Sequence, residues 1–231
     1  MHTGTGMENM ANDLAMIEML KDSTASSLWR LYTWKPWAVS LGKHQSLDAI
    51  NLSEAVARGI DVVHRPTGGR AVLHANELTY CVVARGASSD VYATVHEHIH
   101  KALCSILGDK ASRLQFEKVG ADFRSHYASG SDMGQACFAT SAKSEIMVQG
   151  RKVVGSAQRV MDNIVLQHGS ILCGPGHLLL SELVNIPDSR RSVFKTVLER
   201  SSITMSDVAG HDVTPNDIAC AISQNPNVLL V

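Results

Sequence analysis

The stretch that determines the fold reads Val63-His64-Arg65-Pro66-Thr67-Gly68-Gly69-Arg70-Ala71-Val72-Leu73-His74. It ends one short apolar run, turns at Pro66 and the two glycines, and enters a second apolar run. Two consecutive glycines remove two Cβ atoms, so a ligand can approach the backbone closely at this turn. Arg65, Arg70 and His74 stand around the turn and supply donors suited to a carbonyl group or an anion. An ordinary Gly-Gly hairpin turn would also explain these residues.

A second glycine-bearing segment far downstream favours a ligand site over a plain hairpin. It reads Gly150-Arg151-Lys152-Val153-Val154-Gly155-Ser156-Ala157-Gln158-Arg159, and Leu166-Gln167-His168-Gly169-Ser170-Ile171 follows it. The chain thus contains an arginine-bearing Thr-Gly-Gly turn ending in His, a Lys-Val-x-Gly-Ser-Ala segment and a His-Gly segment, in that order. This pattern resembles the lipoate ligase and octanoyltransferase family, which shares its catalytic fold with biotin protein ligases. The resemblance runs from about Gly6 to Leu172.

Apolar periodicity predicts an α+β fold with one mostly antiparallel mixed sheet flanked by helices. The resemblance implies the biotin/lipoate protein ligase catalytic-domain fold, and the early strands near 29–32 and 38–41 resemble the family's opening hairpin, with Lys35-Pro36 as its turn. Further strands are expected at about 60–64, 70–74, 77–84, 144–149, 152–159 and 164–172. Helices are expected near 10–20, 52–58, 91–106, 178–184, 190–200 and 215–224, the last capped by Thr214. We expect a single domain over residues 1–231 with its catalytic core at about 25–210.

Bulk properties indicate a cytoplasmic enzyme. The 231 residues can bury a sizeable core, and 45% apolar and 19% charged residues are ordinary for a globular protein. A net charge of −1 gives no reason to expect nucleic acid or an anionic membrane as a partner. No apolar run approaches the length of a membrane span, and the first ten residues lack a signal-peptide pattern. The five cysteines contain no Cys-x-x-Cys pair, which predicts reduced thiols.

Cys137 is the predicted nucleophile. It lies in Gly134-Gln135-Ala136-Cys137-Phe138, at the end of the polar stretch 124–136, which predicts a loop. By itself such a cysteine is more often a small buried hydrophobe. The resemblance favours catalysis, since one type of single-domain octanoyltransferase in the family has its nucleophile in such a Cys-Phe loop segment. An ordinary thiol is mostly protonated near pH 7, so the site must stabilise the thiolate or remove the proton.

Lys152 is the second predicted catalytic residue. A lysine beside a turn is usually a solvated charge that contributes little to the core. In the family that this chain resembles, the lysine of this motif contacts the acyl carbonyl oxygen, where acyl transfer builds negative charge. By the same resemblance, the predicted substrate-binding residues are Arg65, Gly68, Gly69, Arg70, Ala71, His74, Gly155, Ser156, Ala157, Gln158, His168 and Gly169. Either His74 or His168 could act as the base, and the sequence does not decide between them.

A histidine-rich helix segment competes with this interpretation. His96-Glu97-His98-Ile99-His100 matches the His-Glu-x-x-His zinc signature on a predicted helix. A polar helix face explains the segment better, because Leu103 and Ile106 stand where a metzincin requires Gly and His. No P-loop or dinucleotide-binding glycine pattern occurs. We therefore expect no metal site.

The resemblance implies an octanoyltransferase of lipoate biosynthesis. Cys137 would take octanoyl from an acyl carrier protein thioester and pass it to a lysine of a lipoyl domain, such as that of the glycine-cleavage H protein. Neither half-reaction requires a cofactor. One alternative is a lipoate–protein ligase, which needs ATP and Mg²⁺, although Arg70 follows only two glycines where ligases tend to have a third. Another is a non-catalytic protein that binds acylated carrier domains. His64 and Ala75 depart from the Arg and Asp usual in the pattern.

Overall fold

A computed structural model gives the fold and describes residues 1–116, 146–225, 227–228 and 230–231. The described strands are β1 His2–Gly4, β2 Ser27–Trp34, β3 Ala38–Leu41, β4 Asp61–His64, β5 Val72–His74, β6 Glu77–Arg85, β7 Gln115–Phe116, β8 Ile146–Val148, β9 Arg151–Met161 and β10 Ile164–Leu172. The described α-helices are α1 Gly6–Lys21, α2 Leu52–Ala57, α3 Ser88–Leu107, α4 Leu180–Leu183, α5 Asp188–Ser201, α6 Met205–Ala209 and α7 Pro215–Ser223. Short 3₁₀ helices span Leu47–Ala49, Gly108–Arg113 and Pro175–Leu179.

The larger sheet has the strand order β1-β2-β6-β10-β9-β8-β7. Its neighbours pair antiparallel except for β1 and β2, which are parallel. All nine residues of the central strand β10 are buried, because layers of structure cover both faces of the sheet. The predicted α+β fold with a mostly antiparallel sheet is confirmed.

The smaller sheet has the strand order β4-β3-β5 and carries the glycine turn. Strand β3 lies between its two partners, parallel to β4 and antiparallel to β5. Residues 65–71 therefore connect two strands on opposite sides of β3, and the hairpin interpretation of the Gly-Gly turn is wrong. The opening hairpin is also wrong, since β2 belongs to the larger sheet and β3 to the smaller one.

Three apolar clusters define the layers. Helices α3, α6 and α7 pack on one face of the larger sheet, where Val95, Ile99 and Leu103 of α3 meet the strands. Helix α1 and residues of the smaller sheet cover the other face. On the smaller sheet a further cluster includes residues of α2, α4 and α5, such as Phe194. The two sheets thus face each other, and the candidate site lies between them.

Several boundaries differ from the predictions. Strand β5 begins at Val72, which leaves Arg70 and Ala71 in the turn. The predicted helix at 178–184 is a 3₁₀ helix followed by α4. Strand β1 and helix α6 were not predicted, whereas the Thr214 cap of α7 is confirmed by a hydrogen bond from the Asp217 N–H. The polar stretch 124–136 and Cys137 lie outside the described residues. Within the described part, none of the helices combines the length and apolar character needed to span a bilayer.

Candidate active site

A pocket, partly open to solvent, lies between the two sheets. Its lining comes from α1, both sheets and the glycine turn, and consists of Met10, Tyr32, Trp34, Ser40, Arg65, Val72, His74, Thr79, Gly155, Ser156, Ala157, His168, Gly169 and Ser170. Seven predicted substrate-binding residues are among them. Of the other five, Gly68, Gly69 and Arg70 lie in the adjoining turn, Ala71 is buried in the core of the smaller sheet, and Gln158 lies on β9.

His74 is held from both ring nitrogens. Its Nδ1 lies 2.6 Å from Oε1 of buried Glu77, and its Nε2 lies 2.7 Å from the Ser40 hydroxyl oxygen. Because a carboxylate only accepts, Nδ1 carries a proton and donates it to the hydrogen bond with Glu77. The Trp34 ring stacks on the imidazole with 4.1 Å between centroids. The second carboxylate oxygen of Glu77 has no hydrogen-bond partner among the described residues.

His168 forms a second hydroxyl–imidazole–carboxylate chain. Its Nε2 lies 2.6 Å from the Thr67 hydroxyl oxygen, and its Nδ1 lies 3.2 Å from Oδ2 of Asp13. Asp13 also accepts hydrogen bonds from Arg30 at 2.9 Å and from the Tyr32 hydroxyl at 2.8 Å. Burial lowers the pKa of His168, and the bond to Asp13 opposes that effect only in part. Both pocket histidines thus lie between a hydroxyl and a carboxylate, which fixes the orientation of each ring.

Arg65 supports the glycine turn from inside. Its Nη1 donates to the Ser40 carbonyl at 2.8 Å, and its Nη2 donates to the carbonyls of Gly68 at 2.9 Å and Arg70 at 2.7 Å. The guanidinium therefore fixes the turn as well as lining the pocket. Gly69 has φ +99°, and a Cβ there would lie 2.7 Å from Nη2 of Arg65. Only glycine satisfies both constraints without strain.

Ser156 directs its hydroxyl to the opposite face of the larger sheet. It is bonded to the Tyr80 hydroxyl and lies 3.0 Å from Nε2 of His96 on α3, while Nδ1 of His96 lies 2.9 Å from the Tyr92 carbonyl oxygen. Burial lowers the pKa of His96 to about 4, so its ring is neutral at pH 7. Nδ1 accordingly donates to the carbonyl, and Nε2 accepts from Ser156.

Gln158 extends the same network. Its side-chain N–H groups donate to Oε1 of Gln167 at 2.8 Å and to the Ser88 carbonyl at 3.2 Å. Side chains alternate along a strand, so Gly155 and Ala157 face the smaller sheet while Ser156 and Gln158 face α3. The first histidine of the zinc-like segment is thus part of this network. Within the described residues, no group of three or more His, Cys, Asp or Glu side chains could hold a metal ion.

Lys152 is buried on β9, with an exposed fraction of 2%. Its carbonyl accepts from the Ile203 N–H at 3.0 Å, which joins β9 to the segment after α5. The expectation that a lysine beside this turn contributes little to the core is wrong. Among the described residues that line the pocket, Lys152 is absent. Cys137, the other predicted catalytic residue, lies outside the described residues.

The polar groups of the pocket wall are bonded to the protein itself. The Trp34 indole N–H donates to the Thr79 hydroxyl at 2.7 Å, and the hydroxyls of Thr79 and Ser170 donate to Oε1 of Glu77 at 2.7 and 2.8 Å. Tyr32, Ser40, Arg65, His74, Ser156 and His168 are bonded as described above. Each polar side chain among the described lining residues therefore already bonds within the protein. Such a wall suits a hydrocarbon chain.

Sequence reasoning missed Asp13, Trp34, Ser40, Glu77 and Thr79. Asp13 carries the clearest signal, because it follows Asn9 by four residues on the stripe of α1 that also buries Met10 and Ile17. A polar pair at this spacing on a buried helix face indicates a buried hydrogen-bonded group. The other four residues line or support the pocket only because the two sheets pack together, and the sequence does not show that packing.

Comparisons with known proteins agree with this architecture. A family model, the lipoyl protein ligase A/B catalytic domain, matches residues 5–225. The octanoyltransferase LipM of Kyrpidia tusciae is 32% identical over 235 aligned positions, which cover 97% of this chain and 84% of the relative. The octanoyltransferase LipM of Symbiobacterium thermophilum is 37% identical over 189 positions, covering 79% and 67%.

Solved structures show the same fold. A bipartite lipoate protein ligase from Thermoplasma acidophilum superimposes with a TM-score of 0.68 at 19% identity, covering 96% of this chain and 80% of the other. A lipoate-protein ligase A bound with ATP gives 0.66 at 20% identity, covering 100% and 85%. The predicted lipoate-ligase-like fold is confirmed, and the chain belongs to the lipoyl protein ligase A/B catalytic-domain family.

Proposed function

We propose that the protein is an acyltransferase that moves octanoyl groups in lipoate biosynthesis, with a lipoyl-domain protein as the acceptor. Its similarity to LipM octanoyltransferases over most of the chain supports this reaction. The observation that carries the proposal is the pocket between the sheets. Its polar side chains bond within the protein, so a saturated acyl chain can fill it without leaving a buried donor unpaired.

The proposed reaction has two half-reactions. In the first, the Cys137 thiolate attacks octanoyl acyl carrier protein, a new C–S bond forms, and the carrier thiol leaves. In the second, the neutral amine of a lipoyl-domain lysine, for example in the glycine-cleavage H protein, attacks the Cys137 thioester; the C–S bond breaks, Cys137 leaves as the thiolate with the proton that the amine loses, and an amide forms. One acyl bond replaces another in each step, so neither ATP nor a metal is required. Lys152 would stabilise the oxyanion of each tetrahedral intermediate.

Intact-mass analysis tests the covalent step. Incubation with octanoyl acyl carrier protein is expected to add one octanoyl group that hydroxylamine removes, and Cys137→Ala is expected to abolish the adduct. Cys220→Ala is the matched control, since Cys220 is an exposed cysteine on α7. An adduct that persists in Cys137→Ala would contradict the assignment. An ATP-dependent reaction that survives this substitution would identify a ligase instead.

A further inference from the structure

We infer that Ser40, His74 and Glu77 form a second catalytic centre, which hydrolyses small uncharged carboxylic esters and thioesters through an acyl-Ser40 intermediate. This activity goes beyond the proposed octanoyl transfer and does not involve Cys137. The inference rests on the geometry of side chains that meet in the wall of the pocket.

The three side chains form a continuous hydroxyl–imidazole–carboxylate chain. The Ser40 hydroxyl oxygen lies 2.7 Å from Nε2 of His74, and Nδ1 of His74 lies 2.6 Å from Oε1 of Glu77. In serine hydrolases this connectivity activates the hydroxyl, because the carboxylate orients the imidazole and the imidazole takes the hydroxyl proton. Such a centre is recognised by its geometry and not by the order of its residues in the chain.

The strands and the neighbouring side chains hold this arrangement in place. Strands β3 and β5 pair antiparallel with Ser40 opposite Val72 and Ala38 opposite His74, so Ser40 and His74 are diagonal neighbours on one face. The Trp34 ring stacks on the imidazole. With Nδ1 donating to Glu77, a neutral ring has its lone pair on Nε2, the nitrogen that faces the Ser40 hydroxyl.

The pocket gives a substrate access to this centre. Ser40 and His74 both line the pocket, which is partly open to solvent. Arg65 lines it as well, and its Nη1 donates to the Ser40 hydroxyl oxygen at 3.3 Å, so a cation lies beside the atoms where negative charge would develop. Ser40 is only 1% exposed, so its hydroxyl can meet only a molecule that enters the pocket. Entry removes the molecule from water, which favours small uncharged substrates.

The reaction has two steps, and water is the co-reactant. In the first, Oγ of Ser40 attacks the carbonyl carbon, its proton passes through His74 to the leaving alcohol or thiol, and the bond to that group breaks. In the second, water attacks the acyl-Ser40 ester and gives a proton to His74. The bond between the carbonyl carbon and Oγ then breaks, Oγ takes the proton back, and the carboxylic acid leaves.

Hydrolysis of p-nitrophenyl butyrate by the Cys137→Ala protein tests this inference without a contribution from the Cys137 thiol. Saturable release of p-nitrophenolate is expected, and Ser40→Ala in the same background should lower kcat/KM by about a hundredfold. Ser53→Ala, at an exposed serine on α2, is the matched control and should leave kcat/KM unchanged. Chemical unfolding of each variant separates a loss of structure from a loss of chemistry.

Glu77 is the positioning residue of the centre, because it contacts His74 and is absent from the described lining of the pocket. Glu77→Gln is therefore expected to lower kcat for the ester by about a hundredfold and to leave KM unchanged. A merely structural role would instead change KM and the free energy of unfolding together.

Covalent labelling identifies the nucleophile directly. An alkyl fluorophosphonate is expected to phosphonylate Ser40 with loss of fluoride, which peptide mapping would detect, and His74→Gln should slow this labelling by about a hundredfold. Equal hydrolysis by Ser40→Ala, no hydrolysis by the Cys137→Ala protein, or an adduct only at another residue would each overturn the inference. Failure of octanoyl transfer alongside Ser40-dependent hydrolysis would refute the proposed function alone.

Discussion

Lys152 is buried, and a charged group interacts more strongly with its neighbours in a buried site than in water. A preorganised donor in a dry site contributes strongly to oxyanion stabilisation, so Lys152→Met is expected to slow acyl transfer by about two to three orders of magnitude. Methionine retains much of the length and removes the charge. Lys152→Arg is expected to recover little, because a planar guanidinium places its donors differently from an ammonium. Single-turnover transfer measures the effect.

Folding must be measured in parallel for these variants, because Lys152 is 2% exposed. Circular dichroism and chemical unfolding separate a loss of structure from a loss of chemistry. Near-normal single-turnover transfer by folded Lys152→Met would assign oxyanion stabilisation to backbone N–H groups alone.

His96 makes stability depend on pH. Its pKa is lowered from 6.5 to about 4, mainly because burial disfavours the charged ring. As pH falls below 6.5 the unfolded chain binds a proton that the folded chain does not bind until about pH 4. The free energy of unfolding should therefore decrease across this interval, by about 3 kcal/mol from His96.

The substitution His96→Gln is expected to make the decrease in unfolding free energy between pH 6.5 and 4 shallower, even if it lowers stability at pH 7. Urea unfolding at a series of pH values measures the slope. His211→Asn is the control, since His211 is exposed. If His96→Gln and the wild type have the same slope, the ring of His96 is not the group responsible.

At the scale of the element, the glycine turn depends on contact between two backbones. A Cβ at Gly42 would lie 1.9 Å from the Gly69 carbonyl oxygen, whereas a Cβ at Gly68 would meet no atom within 4 Å. Gly42→Ala is therefore expected to lower the free energy of unfolding by about 1–3 kcal/mol through overpacking, and Gly68→Ala to change it little. Chemical denaturation of both variants measures the difference. Equal free energies of unfolding for the two variants would show that the turn can shift to accommodate the added Cβ at position 42 without losing stability.

The sequence predicts most elements and few of their pairings. Helix α3 follows from its apolar spacing, and α7 from the capping pattern at Thr214. Strands β2 and β3 were located correctly but assigned to one hairpin. The alternation of side chains identifies a strand but does not show which other strand pairs with it. Strand β1 has three residues and pairs across 30 positions of sequence, so no local pattern marks it.

The glycine turn, for which a hairpin was the ordinary alternative, also shows this limit. Two strands joined by a Gly-Gly turn look like a hairpin in sequence, yet β3 lies between β4 and β5. This arrangement depends on a parallel pairing of β3 with β4, which adjacent residues cannot specify. The close approach that the structure shows at this turn is between the Gly69 carbonyl and the backbone at Gly42, and it depends on the missing Cβ of Gly42.

At the scale of the whole molecule, two facing sheets create the pocket that we propose takes the acyl chain. Each buried methylene contributes about 0.8 kcal/mol, so four fewer methylenes should weaken transition-state binding by about two orders of magnitude. We expect kcat/KM for octanoyl acyl carrier protein to exceed that for the butyryl form by this factor. Steady-state transfer with both donors measures the ratio. Equal values would rule out a pocket that encloses the whole chain.

The assembly of the pocket explains how much of the site the sequence reveals. Arg65, His74 and His168, which the motifs single out, line the pocket. Ser40 and Glu77 stand outside those motifs; the pairing of β3 with β5 brings Ser40 to His74, and Glu77 follows His74 by three residues. Residues whose role depends on long-range packing leave little trace in one sequence, whereas residues of a contiguous motif are visible in it.

The internally bonded pocket wall has a consequence for selectivity. Among the described lining residues, a fatty acyl chain with a methyl end meets no unsatisfied group, whereas a terminal carboxylate would meet only donors that already bond within the protein, those of Arg65 included. Burying an unpaired ionised group costs several kcal/mol or more. We therefore expect dicarboxylic acyl chains of the right length to bind poorly, because the described wall has no free donor for their terminal carboxylate. The pocket would select a methyl end for the same reason.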